Sequence, residues 1–209
     1  MTKNKKSLVL GTAILALTIG VWFAYQQLFT KGLDHLPAKP CNEGVRRETV
    51  IRVLPDTKSA EEGANTTGSG NGFMFGCHIY IAGGSILSGE AQIGDSSQKA
   101  WEAYYKSYGR KPNEAAERAS SNGIYALSKG NFASVYIPCV PRGIKAYDVS
   151  QDYSLITEVR VIGESRSTGL ELHQALSDFA YEMTQRAYTL GKCQNSQEFP
   201  EKLPRFEER

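Results

Sequence analysis

No charged residue interrupts Ser7 to Thr30, and no acidic residue occurs before Asp34. A segment so short of charge does not suit a solvated surface. Its length is close to the ~20 apolar residues that cross a hydrocarbon core. C-x-x-C spacing is also absent, and the adjacent pair Cys77–His78 is the closest approach to a metal-ligand cluster. Consecutive residues of a strand point to opposite faces, so that pair makes a poor chelate and no metal site is assigned. The chain has no G-x-S-x-G nucleophile elbow, no S-D-N element and only three histidines, at positions 35, 78 and 173. Those gaps remove the usual serine-hydrolase signatures. No basic cluster follows the apolar run, which argues against nucleic acid as a partner.

What is present describes a topology. Lys3, Lys5 and Lys6 precede the apolar run, and Trp22, Phe23 and Tyr25 lie near its far end. Positive charge on the near side places residues 1–6 in the cytoplasm, a transmembrane helix over 7–30, and the rest of the chain outside. The run is longer than a secretory signal and ends in bulky "WFAYQQLF", so it reads as an uncleaved signal anchor. Cys41 lies some ten residues beyond it. Lipid attachment there would need a small residue directly before the cysteine, whereas Lys39 and Pro40 occupy those positions. Thr12, Ala16 and Gly20 form a small-residue ladder of the kind that allows close helix approach. Residues 31–40 read as a spacer, 41–193 as one extracytoplasmic domain, and 194–209 as a flexible charged tail. The length of 209 residues suits one medium domain with an anchor. Taking the three leading lysines from the 24 basic residues leaves 21 against 22 acidic ones, so the exported part is nearly neutral.

Cys41, Cys77, Cys139 and Cys193 all fall on the outer side. An even cysteine count in an exported domain reads as a disulfide framework. Four cysteines allow three connectivities; sequential pairing, Cys41–Cys77 and Cys139–Cys193, is preferred.

Hydrophobic periodicity supplies the elements. "RRETVIRVL" (46–54) is a short helix stopped by Pro55. "SAEEGANTTGSGNG" (59–72) reads as a polar loop. "FMFGCHIYI" (73–81) alternates and pairs with "ILSGEAQI" (86–93) as a hairpin. The segment from Ser96 to Gly109 is a helix with a serine cap, expected to bury Trp101, Tyr104 and Tyr108 and to leave Tyr105 outside. "KPNEAAERASSNG" is a helix or a connection. "IYAL" and "FASVYIPC" form a second hairpin, and "LITEVRVI" (155–162) a further strand. The last helix has an apolar stripe of Leu172, Leu176, Phe179, Met183, Ala187 and Leu190, a Thr168–Glu171 capping box and Gly191 as its C′ residue. Together these describe an α+β domain, a largely antiparallel sheet of about five strands with helices packed on it.

Candidate chemistry is sparse. "SSQK" (96–99) has the S-x-x-K spacing of a serine nucleophile and an activating lysine, but a helix cap explains it better. The glycine-rich "TGSGNG" (67–72) precedes a strand, whereas a phosphate loop follows one. Of the histidines, His78 alone is placed where a pocket can form. Aromatics carry recognition energy at binding surfaces, so His78, Tyr80 and Tyr105 are the candidate ligand-binding residues. No catalytic residue and no cofactor is assigned.

The anchor, the spacer, Cys41 ahead of a short helix and the "FMFGC" strand together resemble small membrane-anchored proteins of actinobacterial cell envelopes. Their extracytoplasmic domains carry two disulfides, and most have no assigned activity. The layout is also similar to extracellular sensor domains of actinobacterial receptor kinases, although no kinase is present. The resemblance implies a domain that binds or senses an envelope ligand, a glycan or a partner protein. A structural or accessory subunit of an envelope complex is the alternative, and an envelope hydrolase a weaker one.

Overall fold

The computed structural model describes residues 17–22, 25, 31–107, 116–143 and 152–206. A seven-stranded antiparallel sheet organises the fold, in the order β1-β2-β3-β7-β6-β5-β4. The strands are β1 (Ala60–Thr67), β2 (Met74–Ile81), β3 (Ile86–Asp95), β4 (Glu117–Ser121), β5 (Ile124–Lys129), β6 (Phe132–Pro138) and β7 (Tyr153–Ile162). Three helices concern the site: α1 (Arg47–Val53), α2 (Gln98–Ser107) and α3 (Gly169–Leu190). The α+β class and both expected hairpins are present, but the strand count is seven rather than about five. The two additional strands are the sheet edges. β1 falls in the supposed polar loop, and β4 in the segment read as a helix or connection. Each has one open edge and little buried surface, so neither needs an apolar face that periodicity would reveal.

One sheet face is the core. Phe75, Cys77, Ile79, Leu87, Ala91, Val135, Ile137, Leu155 and Val159 pack there with Leu176, Phe179 and Met183 of α3. Of the expected α3 stripe, Leu172 to Ala187 is buried and Leu190 partly so. A Cβ at Gly89 would run into Met183 and Val159, so glycine there allows α3 to lie close on the sheet. Both termini of α3 depart from expectation. Thr168 makes no side-chain cap bond, because the chain turns into the helix through Gly169 at φ 56°. At the other end Gly191 has φ −73°, and Lys192 takes the left-handed conformation. Gly191 serves close packing instead: a Cβ would stand 2.7 Å from Ile93 Cδ1 and 3.1 Å from Phe73 Cδ1.

Two disulfides join Cys41 to Cys77 and Cys139 to Cys193. The first holds a turn in which Cys41, Asn42 and Glu43 all have positive φ (59°, 54° and 62°), a left-handed run costing about 1–2 kcal/mol per residue. The second ties the end of α3 to the end of β6.

The spacer and the tail belong to the fold. Lys31 bridges to Thr57, and Leu33 and Leu36 are buried. Behind α3, the tail expected to be flexible packs through Leu203 and Phe206, which are 3 % and 8 % exposed. Tyr181 and Tyr188 of α3 donate hydrogen bonds to the carbonyls of Pro200 (2.6 Å) and Asn195 (2.7 Å). Leu17 to Trp22 are helical. Most of the expected 7–30 span, and with it Thr12 and Ala16 of the ladder, lies outside the described residues. Among the described residues no helix is long and apolar enough to cross a membrane.

Candidate functional site

The second face of the sheet is only half covered. α2 lies over β5, β6 and β7, burying Trp101 and Tyr105 (3 % and 5 % exposed) against Leu127, Phe132 and Tyr136. Tyr104 is 55 % exposed. The expectation that Tyr104 packs inward and Tyr105 outward is therefore reversed. Tyr104 and Tyr105 stand three and four residues beyond Trp101, so either shares its helical face. The aromatic floor of Phe132 and Tyr136 selects the second. Tyr108 lies outside the described residues.

α2 starts as its sequence predicts. Ser97 Oγ accepts a hydrogen bond from the Ala100 N–H at 3.2 Å, while Lys99 is exposed. The S-x-x-K spacing thus forms a helix cap. Trp101 Nε1 donates to Ser134 Oγ at 3.0 Å, and Tyr136 donates to the Ser96 carbonyl at 3.3 Å.

Where α2 stops covering the sheet, a cleft of about 510 Å³ opens towards β3. Its helical wall is Trp101, Tyr104 and Tyr105; Glu90, Gln92 and Glu158 come from the sheet, and Asp95 stands at the end of β3. The rings form an edge-to-face cluster, with centroids 4.8 Å apart for Tyr104–Tyr105 and 5.8 Å for Trp101–Tyr105. The Tyr105 hydroxyl donates to Glu158 Oε1. Burial, and then this bond to a carboxylate, hold the Tyr105 phenol well above the ordinary tyrosine range, so it acts as a donor. Glu90 and Glu158 are register partners on neighbouring strands and face the same side. Among the described residues no lysine or arginine lines the cleft, and neither glutamate nor Asp95 is in an ion pair.

His78, Tyr80 and Tyr105 do come to one face of the sheet, but only Tyr105 lines the cleft. His78 and Tyr80 share the open surface of β2, with ring centroids 6.2 Å apart. His78 Nδ1 lies 3.0 Å from Ser88 Oγ on β3. That is nucleophile–base distance, yet among the described residues no third group orients the imidazole. Glu90, Glu158 and Asp95 carried no sequence signal. The two glutamates lie on the strand face turned away from the main core, and only the register brings them together.

Two smaller cavities flank the fold. One of about 310 Å³ is lined by Lys39, Arg46 and Arg186 together with Glu43, Glu182 and Glu201, charges of both signs. The other, about 280 Å³, lies between α2 and the β4–β5 edge. The first belongs to a structural network. Glu182 accepts hydrogen bonds from Arg46 Nη2 at 2.5 Å, from the Arg46 backbone N–H at 2.7 Å and from Thr49 Oγ1 at 2.8 Å.

Compared with known proteins, the chain matches no family model, no curated protein and no solved structure.

Proposed function

We propose that this chain is a membrane-tethered extracytoplasmic domain that binds or senses a small organic envelope ligand in the cleft between α2 and β3. The observation that carries the reading is the aromatic wall of Trp101, Tyr104 and Tyr105 facing polar side chains across about 510 Å³, within the usual size of ligand sites. Two disulfides support an oxidising compartment. The exposed apolar helical residues Leu17, Ile19, Val21 and Trp22 support lipid contact. Because Lys31 is already paired with Thr57, a membrane segment ending at Thr30 sets the domain directly on the bilayer surface.

Native mass spectrometry of the full-length protein released from its own membranes tests this reading. A retained small molecule is expected, and it should be lost in Ala100→Trp, which fills the cleft from an exposed helix position. Absence of any added mass, together with no thermal stabilisation by fractions of envelope extract, would reject it.

A second reading, an accessory subunit that docks a partner protein, draws on a different feature. Tyr80, Ile86 and Ile162 are consecutive register partners, and Tyr80 and Ile162 are each 47 % exposed. This apolar row crosses the uncovered part of the sheet. Tyr80→Glu should abolish such a complex in cross-linked membranes while leaving the cleft ligand in place.

A further inference from the structure

Resting on the membrane-tether reading above, we infer that the apolar row of Tyr80, Ile86 and Ile162 is seated in the interface of the outer leaflet and fixes how the domain stands on the bilayer. The argument starts where the apolar run ends. Gly32 donates its N–H to the Thr57 carbonyl at 2.7 Å, and a Cβ at Gly32 would run into the Ser59 nitrogen and the Thr57 carbonyl. Glycine there lets the chain lie directly against residues 57–59. The Ser59 carbonyl in turn accepts a hydrogen bond from the Ala82 N–H at 3.2 Å, in the turn that joins β2 to β3. At the other side of that turn, Ser85 Oγ accepts from the Glu164 N–H at 2.8 Å, just past the end of β7. A chain leaving the membrane at Thr30 therefore meets this end of the sheet within two residues.

The open face of the sheet is layered from that end. Tyr80, Ile86 and Ile162 pair across β2, β3 and β7 as its first row. His78, Ser88 and Arg160 form the next row, and Glu90 and Glu158 belong to the one after. At ~3.4 Å per residue, the glutamates stand about 13 Å beyond the apolar row. Among the described strand residues, the exposed large apolar side chains are Tyr80 and Ile162. Both lie at the end tied to the expected anchor, and the paired carboxylates lie away from it. That order suits a bilayer interface, where tyrosine and apolar side chains sit at the headgroup level. A protein partner can dock on any face; lipid demands the end beside the chain exit. Charges beside the row are of both signs. Lys31 and Lys58 lie near the exit, Glu61 pairs with Tyr80 on the edge strand, and Glu164 follows Ile162. The contact is therefore driven by apolar burial and needs no anionic headgroup. Three side chains are too few to hold a free domain on a membrane, but a tether supplies the effective concentration that makes so small a contact sufficient.

Tryptophan emission in phosphatidylcholine vesicles tests this placement, with bromine on the shallow acyl carbons of one vesicle set as a short-range quencher. Full-length protein is reconstituted with its disulfides intact. Trp22 and Trp101 are the native tryptophans. Trp22→Phe leaves Trp101, buried under α2, as background, and the difference from wild type reports whether Trp22 sits in lipid. In that background, Tyr80→Trp should add blue-shifted emission that falls about twofold or more in brominated vesicles, because an interfacial apolar face lies ~5–10 Å inside the headgroup boundary. Ile162→Trp should report the same from β7. Thr67→Trp, on the same face at the far end of β1, should stay unquenched. All three positions are exposed, so these exchanges leave the core alone.

Quenched Trp22 with positions 80 and 162 unquenched would overturn the docking and leave the tether standing. Equal quenching at 67, 80 and 162 would also overturn it, since the domain would then have no fixed orientation. Blue-shifted yet unquenched emission at 80 would assign the row to protein contact instead of lipid. Unquenched Trp22 would remove the tether reading and this inference with it.

Discussion

At the scale of single residues, the least solvated carboxylates, Asp178 and Glu182, are held by the fold itself. Glu182 and Asp178 lie on the side of α3 that faces α1 and the tail, each with arginine partners. Removing the Glu182 carboxylate strands the Thr49 hydroxyl, a buried group, and breaks three bonds to Arg46. Arg46 is half exposed and can rehydrate, so the loss falls below that of a fully buried pair. Glu182→Ala is expected to lower unfolding free energy by about 2–3 kcal/mol in urea titrations. Tyrosines add a pH dependence. Burial pushes the Tyr181 phenol up to about 12, against about 10 in an unfolded chain. The folded state therefore keeps a proton that the unfolded state releases. This contribution is complete below pH ~10 and declines as pH rises towards ~12. Tyr105, Tyr136 and Tyr188 shift in the same direction, each chiefly through burial. Alkaline unfolding curves of wild type and Tyr181→Phe should show the shallower loss in the variant, and equal slopes would contradict the assignment.

At the scale of elements, legibility followed burial. β2, β3, β5, β6, β7 and α3 each present an apolar face to something, so their periods were visible in the residues. β1 and β4 close the sheet by backbone hydrogen bonds and remain polar, and alternation cannot announce such a strand. The tail failed for a related reason. Its apolar residues, Phe199, Leu203 and Phe206, are separated by prolines and charges and follow neither helical nor strand spacing. They find a groove that exists only once α3 is docked. Leu203 joins the main core, so Leu203→Ala should cost about 2–3 kcal/mol. Hydrogen exchange should then report new exposure in α3 around Tyr181, and wild-type stability in this variant would restore the picture of a free tail.

At the scale of the whole molecule, the cystines join distant parts of one core. Cys41–Cys77 and Cys139–Cys193 close loops with sequence separations of 36 and 54 residues. On chain entropy each is worth about 4 kcal/mol. They differ in access. Cys41, Cys77 and Cys139 are fully buried, whereas Cys193 is partly exposed. Mild reductant under native conditions should open Cys139–Cys193 first, read by alkylation and peptide mapping. Prior opening of Cys41–Cys77 would contradict this order. Sequential pairing was legible because Cys193 follows a helix stop and Cys139 a strand end.

The residues by themselves determined the α+β class, the order of the apolar elements, a preference for sequential cystine pairing and the expectation of an anchor. Each rests on local information: a period, a cap, a run of apolar length, a count of cysteines. Only the tertiary structure decided which tyrosine of α2 turns inward, which strands close the sheet, and where the tail goes. It alone set Glu90 opposite Glu158 beneath an aromatic wall. Register and docking depend on surfaces brought together from distant parts of the chain, and no local pattern records the charge that a neighbouring strand will place alongside.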